Sequence, residues 1–123
     1  MTQEDKELLL KDLCARLPYS VKINENIQGD FTVIGLTMER VFTTCETEGC
    51  HNDFPVECVK PYLFPLSSMT EEQEKEYNDL NCYELGCFPH SEEAFDYLTK
   101  NHFDYRYLIE KGLAIDATGL GIY

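Results

Sequence analysis

The chain has 123 residues, 43% of them hydrophobic and 12% aromatic, which suits one folded domain with its own core and excludes a wholly disordered chain. With 23 acidic against 10 basic residues the net charge is -13, and this excludes a binder that simply grips nucleic acid by its phosphates. No apolar run approaches the roughly 18 residues of a membrane span, so no membrane partner is expected.

The opening Met1-Thr2-Gln3-Glu4-Asp5-Lys6-Glu7 is charged and mostly acidic, unlike a secretion leader. A cytoplasmic location follows as the expectation, with the six cysteines as free thiols. Residues 1–17 predict an amphipathic helix. Thr2 can cap it, Glu4 and Asp5 suit the first turn, and Leu9, Leu10, Leu13, Cys14 and Leu17 recur at helical spacing. Pro18 marks its end.

Residues 18–66 change character. Short β-prone runs occur at 21–23, 31–36, 40–45, 54–56 and 62–64, separated by turn residues such as Asn24 to Asp30 and Thr47-Glu48-Gly49. Pro55 confines its strand to an edge. A small antiparallel sheet is expected, as an SH3-like barrel or, second, an open meander. Residues 67–116 read as helical. Thr70 and Gln73 form a capping box for a helix to about Leu80. Ser91 caps a second helix with Ala94, Phe95 and Leu98 inward, and Tyr105 to Lys111 reads as a third, closed by a left-handed Gly112 with Leu113 folding back. Residues 117–123 read as a loose tail. The fold class is therefore α+β, one domain over 1–116. Of the 23 acids, 12 lie in 67–116, so the acidic field belongs mainly to the C-terminal helices.

Chemistry-bearing patterns are sparse. Cys45, Cys50, His51, Cys58, Cys82, Cys87 and His90 offer soft ligands for a tetrahedral zinc. The paired cysteines are separated by four residues where a zinc knuckle wants two, so no metal is assigned. No nucleophile motif surrounds a cysteine, the Gly119-Leu120-Gly121 pair lacks the rest of a phosphate cradle, and no calcium loop is present. Paired carboxylates such as Glu71-Glu72 and Glu92-Glu93 sit where a helix dipole wants them. No catalytic residue and no cofactor is assigned. The aromatic cluster Tyr97, His102, Phe103, Tyr105, Tyr107, with Arg106, is the most distinctive feature, because Tyr and Arg are enriched at interface hot spots. Tyr62 and Phe64, between Pro61 and Pro65, carry a similar signal. The candidate binding residues are Tyr62, Phe64, His102, Phe103, Tyr105, Arg106 and Tyr107.

Three blocks carry a resemblance. Leu8-Leu9-Leu10-Lys11-Asp12-Leu13-Cys14-Ala15-Arg16-Leu17-Pro18-Tyr19 is similar to the opening of a family of small uncharacterised acidic proteins from gut bacteria and their phages and prophages. Val59-Lys60-Pro61-Tyr62-Leu63-Phe64-Pro65-Leu66-Ser67-Ser68-Met69-Thr70-Glu71-Glu72 resembles its central motif. His102-Phe103-Asp104-Tyr105-Arg106 through Ile109-Glu110-Lys111-Gly112-Leu113-Ala114 resembles its C-terminal motif. The resemblance covers about a third of the chain and implies a mobile-element context, with no activity attached.

The function expected is a non-enzymatic accessory protein that binds a host or phage protein through acidic and aromatic surfaces. The alternative is a small-molecule sequestering protein, for a nucleotide, in which a homo-oligomer could assemble the pocket. Its phosphate would need bases, and Arg40, Lys60 and Arg106 are the candidates. A zinc or thiol enzyme ranks below both.

Overall fold

A computed structural model describes residues 2–44, 51–81 and 92–123. Helix α1 spans Gln3–Arg16, followed by strands β1 (Lys22–Glu25), β2 (Gly29–Leu36), β3 (Arg40–Thr44), β4 (His51–Pro55) and β5 (Val59–Pro65). Helices α2 (Glu71–Asn81) and α3 (Glu92–Lys100) come next, then two short strands, β6 (Phe103–Asp104) and β7 (Ile115–Asp116). The fold class is α+β, as expected. The Thr47-Glu48-Gly49 turn, Ser91, and the ligand candidates Cys45, Cys50, Cys82, Cys87 and His90 lie outside the described residues.

Helix α1 starts on a capping box: the Thr2 hydroxyl accepts from the Asp5 N–H, and the Asp5 carboxylate accepts from the Thr2 N–H. It stops at Pro18, which sits in a short 3₁₀ turn over Leu17–Tyr19. Leu9 and Leu13 are fully buried, but Cys14 is exposed, and Asp12 and Arg16 are buried in its place. The apolar stripe is thus narrower than the sequence suggests, because a polar pair four residues apart shares the inward face.

The sheet runs β4-β3-β2-β1-β5-β6, with β7 also pairing β5. Strands β1 to β4 are an antiparallel meander, and β5 returns to lie antiparallel to β1. Each of the five strands expected in 18–66 is present, and β4 with Pro55 is an edge, as proline requires. Alternation along β1, β2 and β3 turns Ile23, Phe31, Val33 and Val41 inward against Leu9 and Leu13. The sheet is mixed, because β6 and β7 both run parallel to β5. Two-residue strands carry no periodicity, so neither was expected.

A second apolar cluster holds Tyr77 of α2, Ala94 and Leu98 of α3, and Phe103 and Tyr105, with Phe64, Leu66, Met69 and Tyr97 packed on it. The Thr70–Gln73 capping box that starts α2 is present. Phe95 was expected inward and is 41% exposed, its ring edge-on to Tyr105.

The third helix expected over Tyr105–Lys111 does not form. Tyr107 takes a left-handed φ of 58°, which a helix interior does not tolerate. One turn remains, and the Asp104 carboxylate accepts from the Leu108 and Ile109 N–H groups that open it. Its end is a Schellman closure: Gly112 N–H donates to Ile109 O, and Leu113 N–H to Leu108 O, with Gly112 at φ 74°. Leu108 and Leu113 are both buried, so the expected cap is real although its helix is a single turn.

Nor is the tail loose. Ala117 N–H donates to Leu63 O, Leu120 N–H donates to Ala117 O, and Tyr123 folds back onto the sheet.

Candidate functional site

A cavity of about 370 Å³ opens where three distant segments meet: Phe64 to Gln73, Lys100 to Phe103, and Thr118 to Tyr123. The end of β5 supplies Phe64, and β6 beside it supplies Phe103, because Phe64 and Phe103 are register partners. The chain leaves α3 at Lys100 and Asn101 and passes His102 before entering β6. The Phe64 N–H donates to His102 O at 2.8 Å, which pins this approach to the sheet.

His102 has a left-handed backbone, φ 63°. Such a conformation costs of order 1 kcal/mol for a residue with a Cβ, and it clusters at functional positions. Its ring stacks on Tyr123, with centroids 3.6 Å apart and planes 11° apart. Phe64 lies 6.0 Å from Tyr123 and 6.2 Å from Phe103, tilted against both. The rings of Phe64, His102 and Tyr123 therefore wall the cavity, and the buried Phe103 backs Phe64. Ser68, Gln73, Asn101 and Thr118 add polar groups, and Lys100 adds a charge.

The Tyr123 ring is fixed by its hydroxyl. That group accepts from the Lys22 N–H at 2.9 Å and donates to Tyr62 O at 2.9 Å. Ile23 and Pro61 are the last paired residues of β1 and β5 on this side, so Lys22 and Tyr62 are the next opposite pair. The phenol thus bridges two strands at the point where their own ladder ends. Burial pushes the Tyr123 phenol up to about 12, so it stays protonated and able to donate.

His102 is driven the other way, down to about 4, first by burial and then by the Arg16 and Lys22 charges. It is a neutral imidazole at pH 7. Its Nδ1 is buried without a hydrogen-bond partner.

Beneath β6 lies a buried charge network. Asp12 accepts from Arg16 Nε at 2.8 Å and from Arg106 Nη1 at 2.9 Å. Arg16 is fully buried and also donates from Nη2 to Phe103 O at 2.6 Å. Both guanidinium groups lie over the Tyr105 ring, at 5.4 Å for Arg16 and 4.6 Å for Arg106. The network joins α1 to β6 and to the residues just after it.

The seven residues singled out from the sequence divide accordingly. Phe64, His102 and Phe103 meet at the cavity, although Phe103 is also a core residue. Tyr62 is buried and donates to the Asp30 carboxylate at 2.6 Å. Tyr105 is buried in the second cluster, and Arg106 is tied to Asp12. Tyr107 is 40% exposed and lies apart from the cavity lining. Ser68, Gln73, Lys100, Asn101, Thr118 and Tyr123 were not foreseen. Each is an ordinary polar or tail residue in sequence, and only the return of β6 and the tail to β5 gathers them.

Cys14 and Cys58 are exposed and not disulfide-bonded. Among the described residues no group of three His, Cys, Asp or Glu side chains could hold a metal ion, and no helix is long and apolar enough to cross a membrane. No family model, no curated protein and no solved structure matches the chain.

Proposed function

We propose that this chain is a non-enzymatic accessory binding protein of a mobile-element kind, which engages a host or phage protein through a basic surface of that partner. The observation that carries this reading is the exposed acid on two packed helices. Glu71, Glu72, Glu74, Glu76 and Asp79 of α2 and Glu92, Glu93 and Asp96 of α3 are all exposed, against Lys75 and Lys100. The helices face each other through Tyr77 and Tyr97, whose centroids are 6.4 Å apart. Leu80 and Phe95 are exposed among the carboxylates, which gives the surface apolar anchors as well as charge. A field of one sign speeds and orients the approach of an oppositely charged partner. The aromatic part of the expected surface is smaller than the sequence suggests, because Tyr62, Phe103 and Tyr105 are buried.

The test is affinity capture from a host lysate by the wild-type chain and by the triple variant Glu72→Gln, Glu93→Gln, Asp96→Asn. A partner with a basic face is expected to be held at about 50 mM salt, released near 0.5 M, and lost from the variant. The same set of proteins on both baits, insensitive to salt, would refute the reading.

A further inference from the structure

We propose that the cavity between the end of β5, the approach to β6 and the tail is a binding site for a planar aromatic anion of nucleoside-monophosphate size. This goes beyond the partner-binding reading and does not depend on it.

The walls indicate a flat ligand. Phe64, His102 and Tyr123 present three rings around one opening, with the buried Phe103 packed against Phe64, and bases or other heteroaromatic rings stack on such surfaces whatever their sequence of polar atoms. The wall is preorganised, since the Tyr123 hydroxyl is held at both ends and its ring lies 3.6 Å from His102. At about 370 Å³ the space is at the small end of ligand sites, which suits one nucleotide and excludes a dinucleotide.

The charge indicates an anion. The chain is acidic overall at -13, yet the groups around His102 are basic. Lys100 lines the cavity, and the Arg16 and Lys22 charges add to burial, the larger cause, in keeping the imidazole uncharged. Arg16 shares the one Asp12 carboxylate with Arg106, and among the described residues neither Lys22 nor Lys100 is in an ion pair. A locally positive spot on an acidic protein is where a phosphate would be drawn. These are not the bases expected from sequence: Arg40 is paired with Asp53, Arg106 with Asp12, and Lys60 is not among the lining residues.

The experiment is a titration of the full chain, followed by ¹H–¹⁵N correlation spectra, with adenosine and uridine 5′-monophosphates. The matching nucleosides and inorganic phosphate serve as separate probes. At least one monophosphate is expected to shift the amides of residues 64, 68, 100–103 and 118–123, with a Kd below about 1 mM. Nucleoside alone and phosphate alone are each expected to bind about tenfold more weakly or worse. Lys100→Gln, at an exposed position, is expected to weaken binding about tenfold. His102→Asn, which keeps a residue tolerant of left-handed backbone but removes the ring, is expected to do the same.

Equal binding of phosphate alone would make this a plain anion site and overturn the stacking half. Equal binding of the nucleoside, or wild-type affinity in Lys100→Gln, would overturn the anionic half. Shifts that map elsewhere, or none at about 10 mM in the folded protein, would overturn the site altogether.

Discussion

Replacing Asp12 by Asn tests the buried charge network directly. The Asp12 carboxylate is fully buried and is the charge partner of two guanidinium groups, Arg16 at 2.8 Å and Arg106 at 2.9 Å. Asn keeps the shape and one acceptor but removes the charge. Arg16, itself fully buried, is then left with its charge uncompensated. Breaking such a pair costs about 3–5 kcal/mol, much of it from the stranded ion rather than from the lost attraction. A chain of 123 residues has a total stability of roughly 6–18 kcal/mol by per-residue scaling, so the variant loses a large share of it. Its melting temperature is expected to fall by roughly 10–20 °C. The assay is guanidinium unfolding followed by far-UV circular dichroism, with the slope checked so that only the midpoint has moved. Arg16→Met completes a cycle. Removing both partners is expected to cost at least about 1 kcal/mol less than the two single losses together. A loss below about 1 kcal/mol for Asp12→Asn, or full additivity in the cycle, would refute the view that these side chains act as one unit.

Two further outcomes follow from the cavity walls. Tyr123→Phe keeps the ring stack on His102 but removes the hydroxyl that bridges the Lys22 N–H and Tyr62 O. A loss of about 1–2 kcal/mol and faster hydrogen exchange at the Lys22 amide are expected, and unchanged exchange there would contradict the bridge. His102 is held at about 4 in the fold against an ordinary 6.5, so the unfolded chain takes up this proton first as pH falls. Its contribution is therefore fully present above pH 6.5, is lost as pH falls toward 4, and changes no further below that. The ring's partial exposure brings the size to about 1–2 kcal/mol. The difference in stability between wild type and His102→Asn should shrink over that window, and parallel pH profiles would show that the imidazole is not shielded.

The local signals in the chain were legible wherever neighbouring residues decide the structure. The Thr2 and Thr70 capping boxes, the Pro18 stop, the Gly112 closure and the Pro55 edge strand all depend on side chains within a few positions of the backbone groups they satisfy. The five strands of 18–66 were legible because β-prone runs are separated by turn residues, and inward and outward residues alternate along β1, β2 and β3. Where local rules compete, the sequence misleads. Residues 105–111 have helical composition, yet the left-handed Tyr107 and the Asp104 cap reduce them to one turn.

What the sequence determines by itself is thus an α+β chain with an acidic C-terminal half and nothing that reads as a catalytic motif. What only the tertiary structure decides is which of the aromatic residues are free to act. Tyr62, Phe103 and Tyr105 look alike as interface residues in sequence, but the parallel return of β6 to β5 buries them or commits them to the core. The same return, with the tail folding over it, brings Phe64, His102 and Tyr123 around one opening from positions up to 59 residues apart. Arg16 and Asp12 show the same limit. They read as the outer face of an amphipathic helix, and they are buried because Phe103 O and Arg106, some ninety positions away, satisfy them. Non-local pairing of this kind leaves no period in the chain, since its energy is gained only after the distant segments have met.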